Sequence, residues 1–402
     1  MRYLTTDLLA AGLLLTACAA GRADAPSASP AHTAASSPAA TPTSTSSPEP
    51  TWTPPPPVAP RPTPTDFSGT DGPPGLIFRV LDPDQDALGD LASRGTLWQL
   101  TSEGGAAKLS DCAGSALSPD GRQALYEQEA DIWAIDLSTC ESRNLTQTPD
   151  AWELHPQWWP ARPELVLFGV DPEMDWGTPG VVGVDGQGYR RLIESGSSFH
   201  VAAPSPDGQT ITFDVFGGAA WLYDWDIGLK AFDPLEFGLE VQRMSSPAWS
   251  PDGGRMAWVA GIGTGAEWYI ALAVFNLQTR DGRVLHPYFP VGREGWPPAP
   301  VWSPDGHWLA FNAWADDPSA SGIWVTAVDG SQEVQIDFGS AASPGTTISQ
   351  SRSPLWSPDG RWLVLSLALD GPPSHWSVET GEWLPRPIRL PFASLLVDFR
   401  NP

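Results

Sequence analysis

Short apolar runs separated by turn sequences make up most of the chain from about residue 75 onward. The most regular unit is an apolar or aromatic residue, then Ser-Pro-Asp-Gly, then a second apolar run. Proline presets the second position of a tight turn, and glycine supplies the left-handed residue that leads back into a strand. Each copy therefore predicts a β-hairpin. The five full copies lie at 117–121, 204–208, 249–253, 302–306 and 356–360.

A worn sixth copy at 158–168 keeps the aromatic residue, the proline and the apolar run but loses the aspartate and glycine. The turn prolines recur at intervals of 41 to 54 residues, at positions 119, 160, 206, 251, 304 and 358. A period near 45 residues with one hairpin per unit is typical of a β-propeller built from four-stranded blades. The sequence therefore predicts an all-β propeller.

The rest of each unit is also regular. An apolar strand follows the turn, then a strand carrying a pair such as Ile132-Trp133, and then an ending such as Leu145-Thr146. Over roughly residues 75–400 this pattern resembles the TolB-type, WD40-like propeller repeat. The resemblance implies the fold, whereas propellers of this kind include both binding proteins and enzymes.

The two ends of the repeat region predict how the ring closes. Segments 76–80, 96–100 and 106–109 look like second, third and fourth strands with no first strand before them, and 395–399 looks like a lone first strand. Together they would form one composite blade, which removes the free sheet edges. Six repeats plus this blade predict seven blades. Six remains the alternative, if 76–109 forms only a lid.

Tryptophans recur at three positions of the repeat, and a residue repeated in every blade is expected to pack between neighbouring sheets. The three sets are Trp158, Trp249, Trp302 and Trp356; Trp258, Trp308 and Trp362; and Trp98, Trp133, Trp221, Trp324 and Trp376.

The turn aspartates resemble a carboxylate cluster, but we expect each to cap its own turn by accepting local backbone N–H groups. They are Asp120, Asp207, Asp252, Asp305 and Asp359.

The first 66 residues predict an export signal and a tether. Residues 1–18 have a short apolar stretch that is typical of a signal peptide and ends in Leu-Thr-Ala-Cys, which resembles a bacterial lipobox. The resemblance implies a diacylglycerol on Cys18, and the alternative is an ordinary cleaved signal. Residues 19–66 are rich in Ala, Ser, Thr and Pro and predict a disordered, semi-rigid spacer. The propeller domain would then occupy 67–402.

The charge balance restricts the partners. The chain of 402 residues has 22 Lys plus Arg against 47 Asp plus Glu, a formal charge of −25. This balance disfavours nucleic acids, which require basic stripes, and anionic lipid surfaces. We expect an exported monomer that faces the outside or the periplasm and contacts the membrane through its lipid anchor only.

The loops predict where a site would lie. In a four-stranded meander, the turns between strands one and two and between strands three and four share one end, here called the turn end. The loops between strands two and three and between blades share the other, the connector end. Irregular loops on a rigid framework carry function. Aromatic side chains beside carboxylates suit a sugar, a peptide or a cation, although the same residues could simply cover the blade ends. The predicted binding residues are Trp152, His155, Trp176, Phe199, His200, Trp296 and Trp314.

We expect a non-catalytic binding or scaffolding module for a protein, peptide or glycan, with no catalytic residues and no cofactor. The alternative is an extracytoplasmic polysaccharide lyase or hydrolase that uses His155, His200 and nearby carboxylates. No His-x-His or Glu-x-x-His spacing supports a metal site. The resemblance adds a third hypothesis, envelope scaffolding, although TolB itself is a soluble periplasmic protein.

One acidic segment is a weak calcium candidate. Asp82, Asp84 and Asp86 have the spacing that opens a calcium-binding loop. The sixth position is Ala87 rather than glycine and the twelfth is Ser93 rather than glutamate, so an acidic loop without calcium is the main expectation.

Cys112 and Cys140 leave two alternatives. Export and an even number of thiols after Cys18 favour a disulfide. The strand order opposes it, because Cys112 would lie near the connector end and Cys140 near the turn end, and a bridge needs Cα atoms within about 7 Å.

Overall fold

The computed structural model describes residues 70–80, 95–148, 151–171, 178–193, 199–215, 218–264, 269–287, 299–313, 322–337, 354–367, 374–390 and 394–400. All of them belong to one compact unit, Ala59–Pro402. The signal peptide, Cys18, the tether, Asp82, Asp84, Asp86, Trp176, Trp296 and Trp314 lie outside the described residues, as do the side chains of Phe199 and His200.

The described part of the chain contains 28 strands. In chain order they are β1 (Leu76–Val80), β2 (Thr96–Leu100), β3 (Ala106–Ser110), β4 (Ala116–Leu117), β5 (Gln123–Gln128), β6 (Asp131–Asp136), β7 (Ser142–Asn144), β8 (Trp152–Trp158), β9 (Leu165–Asp171), β10 (Thr178–Gly183), β11 (Arg190–Arg191), β12 (Phe199–Pro204), β13 (Thr210–Val215), β14 (Ala219–Asp224), β15 (Gly228–Ala231), β16 (Arg243–Trp249), β17 (Arg255–Ile262), β18 (Tyr269–Asn276), β19 (Asp281–Pro287), β20 (Val301–Trp302), β21 (Trp308–Ala313), β22 (Gly322–Ala327), β23 (Glu333–Gln335), β24 (Leu355–Trp356), β25 (Trp362–Leu367), β26 (Ser374–Glu379), β27 (Pro385–Ile388) and β28 (Ser394–Phe399).

The strands form seven four-stranded antiparallel sheets, which are the blades of a propeller. Blades 1 to 6 each consist of four consecutive strands, beginning at β4, β8, β12, β16, β20 and β24. Blade 7 has the order β28-β1-β2-β3, so the predicted composite blade and the count of seven are confirmed. A 3₁₀ helix, Pro234–Phe237, follows blade 3 and is capped by Asp233. Among the described residues, no helix combines the length and hydrophobicity needed to cross a membrane.

Each blade packs on the next because alternate residues of its strands point to opposite faces. At the boundary of blades 4 and 5, Val259 and Leu272 pack with Phe311, and all three side chains are at most 1% exposed. Blade 7 contacts blade 6 through Val364 and blade 1 through Leu117, so the clusters run around a closed ring.

The repeated tryptophans do pack between blades, and four of them add a hydrogen bond that the sequence did not reveal. Each ring donates its Nε1–H to a backbone carbonyl on the first strand of the preceding blade, 3.0 to 3.2 Å away. A buried indole N–H needs an acceptor, and here the acceptor ties neighbouring blades together. The pairs are Trp158 to Ala116, Trp249 to Ala203, Trp302 to Ala248 and Trp356 to Val301.

The turn aspartates cap their own turns, as the sequence predicts. In each full copy the serine hydroxyl donates to the aspartate Oδ1 at 2.5 to 2.6 Å, and the same oxygen accepts a backbone N–H two residues further on. The serine hydroxyl lowers the pKa of Asp120, Asp252 and Asp359 below the ordinary value of 3.8. The turn end is therefore a series of locally satisfied turns.

Cys112 and Cys140 form a disulfide, with Cα atoms 5.8 Å apart. The geometric argument against the bridge was wrong, because it treated each blade as a flat sheet. Neighbouring strands twist by about 20–25°, so over three intervals the outer strand turns strongly away from the inner one. The end of β3 therefore reaches the β6–β7 turn, where the Ser110 hydroxyl donates to the Leu137 carbonyl at 2.7 Å.

Candidate functional site

Two of the predicted binding residues lie where the structure describes their side chains. The sequence placed Trp152 and His155 in a loop between blades, but both belong to β8, the first strand of blade 2. The assignment was wrong because β8 extends further than the repeat predicts and contains a bulge between Leu154 and Gln157. Bulges re-aim side chains and occur often beside functional sites. Phe199 and His200 belong to β12, the first strand of blade 3.

The start of β8 lies against the hairpin that joins β5 and β6 of blade 1. The Glu153 N–H donates to the Ala130 carbonyl at 2.7 Å, and the His155 N–H donates to Glu127 Oε1 at 2.6 Å. These bonds join two blades at the connector end. We call this region, residues 127–131, 147–148 and 151–155, the blade 1–2 corner.

The backbone of the corner is unusual. Among the described residues, eight that are not glycine have a positive φ, and four of them are in the corner: Glu129 (53°), Ala130 (70°), Gln147 (51°) and His155 (56°). Side chains destabilise this conformation by about 1–2 kcal/mol per residue relative to glycine. Such conformations cluster at functional sites. No glycine signals the β5–β6 turn, so the sequence pattern could not reveal it.

Glu153 is the most deeply buried carboxylate of the corner, with 0% exposure. Its Oε1 accepts from the Thr148 hydroxyl at 2.6 Å and from the Tyr189 hydroxyl at 3.1 Å, whereas its Oε2 has no hydrogen-bond partner. Burial raises the pKa of Glu153 above its ordinary value, the nearby charge of Asp131 adds to the rise, and the hydroxyl donors oppose it. Burial also raises the pKa of Tyr189 to about 12.

Asp131 is the hydrogen-bond acceptor on the other side of the corner. It accepts from Asn144 Nδ2 at 2.6 Å, from the Thr146 hydroxyl at 3.1 Å and from the Thr148 N–H at 3.1 Å. The donors nearest to the two carboxylates are therefore already engaged. Sequence reasoning missed Asp131 and Glu153 because neither stands in a motif.

The corner also has an accessible surface. Trp152 is 45% exposed, far more than the tryptophans that join the blades. The side chains of His155 and Glu127 are 83% and 36% exposed, and His155 Nδ1 lies 3.9 Å from Glu127 Oε1. In this corner the exposed indole can stack on a ligand, and the imidazole and the Glu127 carboxylate can form hydrogen bonds.

The equivalent corner between blades 3 and 4 shows which part of this arrangement is structural. Asp214 stands nine residues after the turn serine, as Glu127 does, and accepts from Ser245 Oγ at 2.7 Å. Ser246 corresponds to His155 and has a φ of 53°. All three side chains there are at most 3% exposed. Both corners therefore have an acidic side chain that hydrogen-bonds to the bulge in the next blade. The blade 1–2 corner differs because its side chains are exposed to solvent.

No group of three or more His, Cys, Asp or Glu side chains within the described ranges is placed to hold a metal ion. The proposed pairing of His155 with His200 stays a prediction.

The ring of seven four-stranded sheets and its exposed corner define the chain as a seven-bladed β-propeller with a candidate binding face. No protein-family model matches the chain, and no curated protein matches it significantly.

Solved structures share the fold. TolB from Acinetobacter baumannii is 19% identical with a TM-score of 0.42; the match covers 65% of this chain and 64% of that protein's length. An oligogalacturonate lyase in complex with manganese is 14% identical with a TM-score of 0.51, over 70% of this chain and 82% of the lyase. A candidate 6-phosphogluconolactonase from Bacteroides fragilis is 16% identical with a TM-score of 0.50, over 84% of this chain and 98% of that protein. At these identities the likeness concerns the fold alone.

Proposed function

We propose that this protein is an extracytoplasmic binding or scaffolding module that is anchored to a membrane by a lipid on Cys18. The ring holds the binding face rigidly, and the segment 19–66 separates it from the membrane. A rigid ring lowers the entropic cost of binding because the contacting side chains are already ordered.

One observation supports this function above the others. Trp152, 45% exposed, lies in the chain beside Glu153, whose backbone is bonded to the neighbouring blade. Trp152 is the aromatic member of the large apolar side chains that the described residues expose, and an exposed indole can stack on a sugar or attract a cation.

The test is a peptide and glycan array probed with the detergent-solubilised full-length protein. Trp152→Ala should abolish the signal of the specific ligands. Ile227→Ala is the matched control, because Ile227 is 75% exposed in the turn between β14 and β15, at the turn end. Equal signals from Trp152→Ala and the unmodified protein would contradict a binding role for the corner.

A second measurement distinguishes the binding module from the alternative, a polysaccharide lyase. A polysaccharide lyase generates unsaturated uronates, which absorb ultraviolet light. Incubation with polygalacturonate and manganese should leave the absorbance unchanged. A rise that requires His155 would favour the lyase over the binding module.

The anchor has its own test. Metabolic labelling with an alkyne fatty acid should label the protein and leave Cys18→Ser unlabelled, with that variant released from the membrane fraction. A protein that is exported without label would show that residues 1–18 are an ordinary signal peptide.

A further inference from the structure

We propose that the outer edge of blade 3 binds an extended peptide segment of a protein partner, which carries acidic and apolar side chains and adds a strand beside β15. This inference goes beyond the proposed function, because the surface lies on another blade and shares no residue with the blade 1–2 corner.

The first argument is the worn turn of blade 2, which loses the aspartate of the repeat and has Arg162 at the glycine position. Arg255 shows the arrangement beside a full turn. Its Nη2 donates to the Gly306 carbonyl of the next blade and lies 3.7 Å from Asp252 Oδ2 of its own turn. Arg162 donates to the equivalent carbonyl, that of Gly208, but its turn has no aspartate. The worn turn therefore has a positive charge that the repeat does not balance.

A second cation lies beside the first. The guanidinium carbon of Arg162 is 4.7 Å from the centre of the Trp225 ring, and that of Arg190 is 4.4 Å from the same centre. The two guanidinium carbons are therefore no farther apart than these two distances combined.

No acid of the protein balances this pair. Neither Arg162 nor Arg190 forms an ion pair in the part of the chain that the structure describes, although the whole sequence has 47 acidic against 22 basic residues. Of the two acids that flank Trp225, Asp224 accepts two backbone N–H groups of its own turn and Asp226 is exposed. A carboxylate from a partner would form charge-assisted hydrogen bonds with the guanidiniums.

The second argument is an apolar surface next to the two cations. Ile227 is 75% exposed, the highest value among the large apolar side chains of the described residues, and Leu229 is 46% exposed. Leu229 pairs with Tyr223, which packs toward Leu167 of blade 2. Directly paired residues share a face of the sheet, so Leu229 also faces blade 2. The outer strand of that blade, Arg190–Arg191, is too short to cover it.

The third argument is a free strand edge. β15 is the last strand of its sheet, and the Phe232 N–H donates to the Ala220 carbonyl at 2.9 Å. Hydrogen-bonded pairs alternate along two antiparallel strands, so Lys230 is the next residue bonded to β14. The backbone groups of Leu229 and Ala231 therefore point away from the sheet. An extended peptide can bond to such groups and continue the sheet.

These features favour a peptide over a membrane. An anionic lipid surface also suits apolar and cationic side chains, but it repels a chain with a formal charge of −25. A lipid surface also offers no row of N–H and C=O groups to the edge of β15.

The experiment measures dissociation constants of the detergent-solubilised full-length protein for short blocked peptides. The test peptide repeats Val-Thr-Glu-Thr, so that valine and glutamate share one face of the extended chain. Replacing its glutamate by glutamine or lysine, or its valine by serine, should weaken binding about tenfold. Methylating the amides of valine and glutamate should abolish binding. Methylating those of threonine should weaken it far less, because only the first set would face β15.

Variants locate the surface. Arg190→Gln should weaken binding about tenfold, Arg190→Lys by less because it keeps the charge, and Leu229→Ser about fivefold. Arg122→Gln removes an exposed arginine of blade 1, and Leu384→Ser removes a side chain of blade 6 that is 64% exposed. These two controls and Trp152→Ala should leave the constants unchanged.

Several results would overturn the inference. They are no binding of the test peptide, equal binding of its lysine counterpart, equal losses in the controls, and a loss in Trp152→Ala. Binding of a short-chain phosphatidylglycerol that depends on Arg190, in place of the peptide, would overturn the assignment to a protein partner. A dimer that Leu229→Ser dissociates, seen by light scattering, would assign the edge to a second copy of the chain instead.

Discussion

The five Ser-Pro-Asp-Gly turns and the blade 1–2 corner solve the same backbone problem in opposite ways. At the turn end, every left-handed position of the five Ser-Pro-Asp-Gly turns is a glycine, with φ between 68° and 78°, and each aspartate is capped by its serine. In the corner the left-handed positions carry side chains, as at Ala130 and His155, and Glu153 Oε2 lacks a donor.

The difference distinguishes residues that stabilise the ring from residues that are candidates for function. A sequence that specifies a fold satisfies its local rules wherever it can, and the exceptions tend to mark function. The Ser-Pro-Asp-Gly turns satisfy them in five copies. The corner departs from them twice, in backbone conformation and in hydrogen bonding, and it also exposes an indole.

The largest expected effect is on the free energy of unfolding, which should depend on a tryptophan buried between blades but not on the exposed Trp152. Trp302→Ala should lower the free energy of unfolding by about 3–5 kcal/mol, since a side chain that is 7% exposed leaves a cavity. Trp302→Phe should cost about 1 kcal/mol for the lost bond to Ala248, together with a small packing loss. Trp152→Ala should change stability by less than about 0.5 kcal/mol. Denaturant unfolding measures all three, and a large loss in Trp152→Ala would make it a core residue.

The disulfide should stabilise the turn end without affecting the corner. Replacing Cys112 and Cys140 by serine opens a loop with a sequence separation of 28 and should cost about 2–4 kcal/mol. Thermal unfolding with and without reductant measures the loss. Binding of the ligands found on the array should stay the same, and a parallel loss of binding would show that the two regions are coupled.

Two substitutions between glycine and alanine test the difference in backbone conformation between the Ser-Pro-Asp-Gly turns and the corner. Gly253→Ala should destabilise the protein by about 1 kcal/mol, because its φ is 69° while the new methyl group meets no atom closer than 4.0 Å. Ala130→Gly, at a φ of 70°, should stabilise it by about 0.5–1 kcal/mol. Opposite signs in denaturant unfolding would confirm the contrast, and two losses would refute it.

The pH dependence of stability should have opposite signs for a carboxyl in the corner and a carboxyl in a Ser-Pro-Asp-Gly turn. Burial raises the pKa of Glu153, so its contribution to stability is complete below the ordinary value of 4.5 and is lost as the pH rises through the raised value. The hydrogen bond from Ser250 lowers the pKa of Asp252, so that contribution is present above 3.8 and is lost as the pH falls through the lowered value.

Two variants isolate these contributions in unfolding curves measured across the pH range. Glu153→Gln should flatten the decline on the alkaline side, and Asp252→Asn the decline on the acidic side. A Glu153→Gln curve parallel to that of the unmodified protein would show that this carboxyl does not titrate differently on folding.

The sequence predicted the fold in detail because one hairpin recurs with its turn chemistry intact. The strands at Leu76–Val80 and Thr96–Leu100 matched their predicted bounds, and the composite blade followed from a missing first strand. The acceptors of the tryptophan N–H groups could not be predicted, because each lies on the preceding blade.

The site was predicted less well for identifiable reasons. Trp152 and His155 were found as exceptions to the repeat, but blade 2 has the worn turn, so the start of β8 was taken for a loop. Glu153 and Asp131 do not belong to any motif, and they lie close together only because blades 1 and 2 are in contact. The disulfide between Cys112 and Cys140 was left open, because strand twist cannot be read from a list of strands.

Hydrogen–deuterium exchange of the full-length protein with a ligand found on the peptide and glycan array tests the central claim most directly. We expect the ligand to slow exchange of the amides at 127–131 and 151–155 and to leave those at 250–255 in the turn end unchanged. Protection confined to the turn end, or equal at both ends, would contradict a binding site in the blade 1–2 corner.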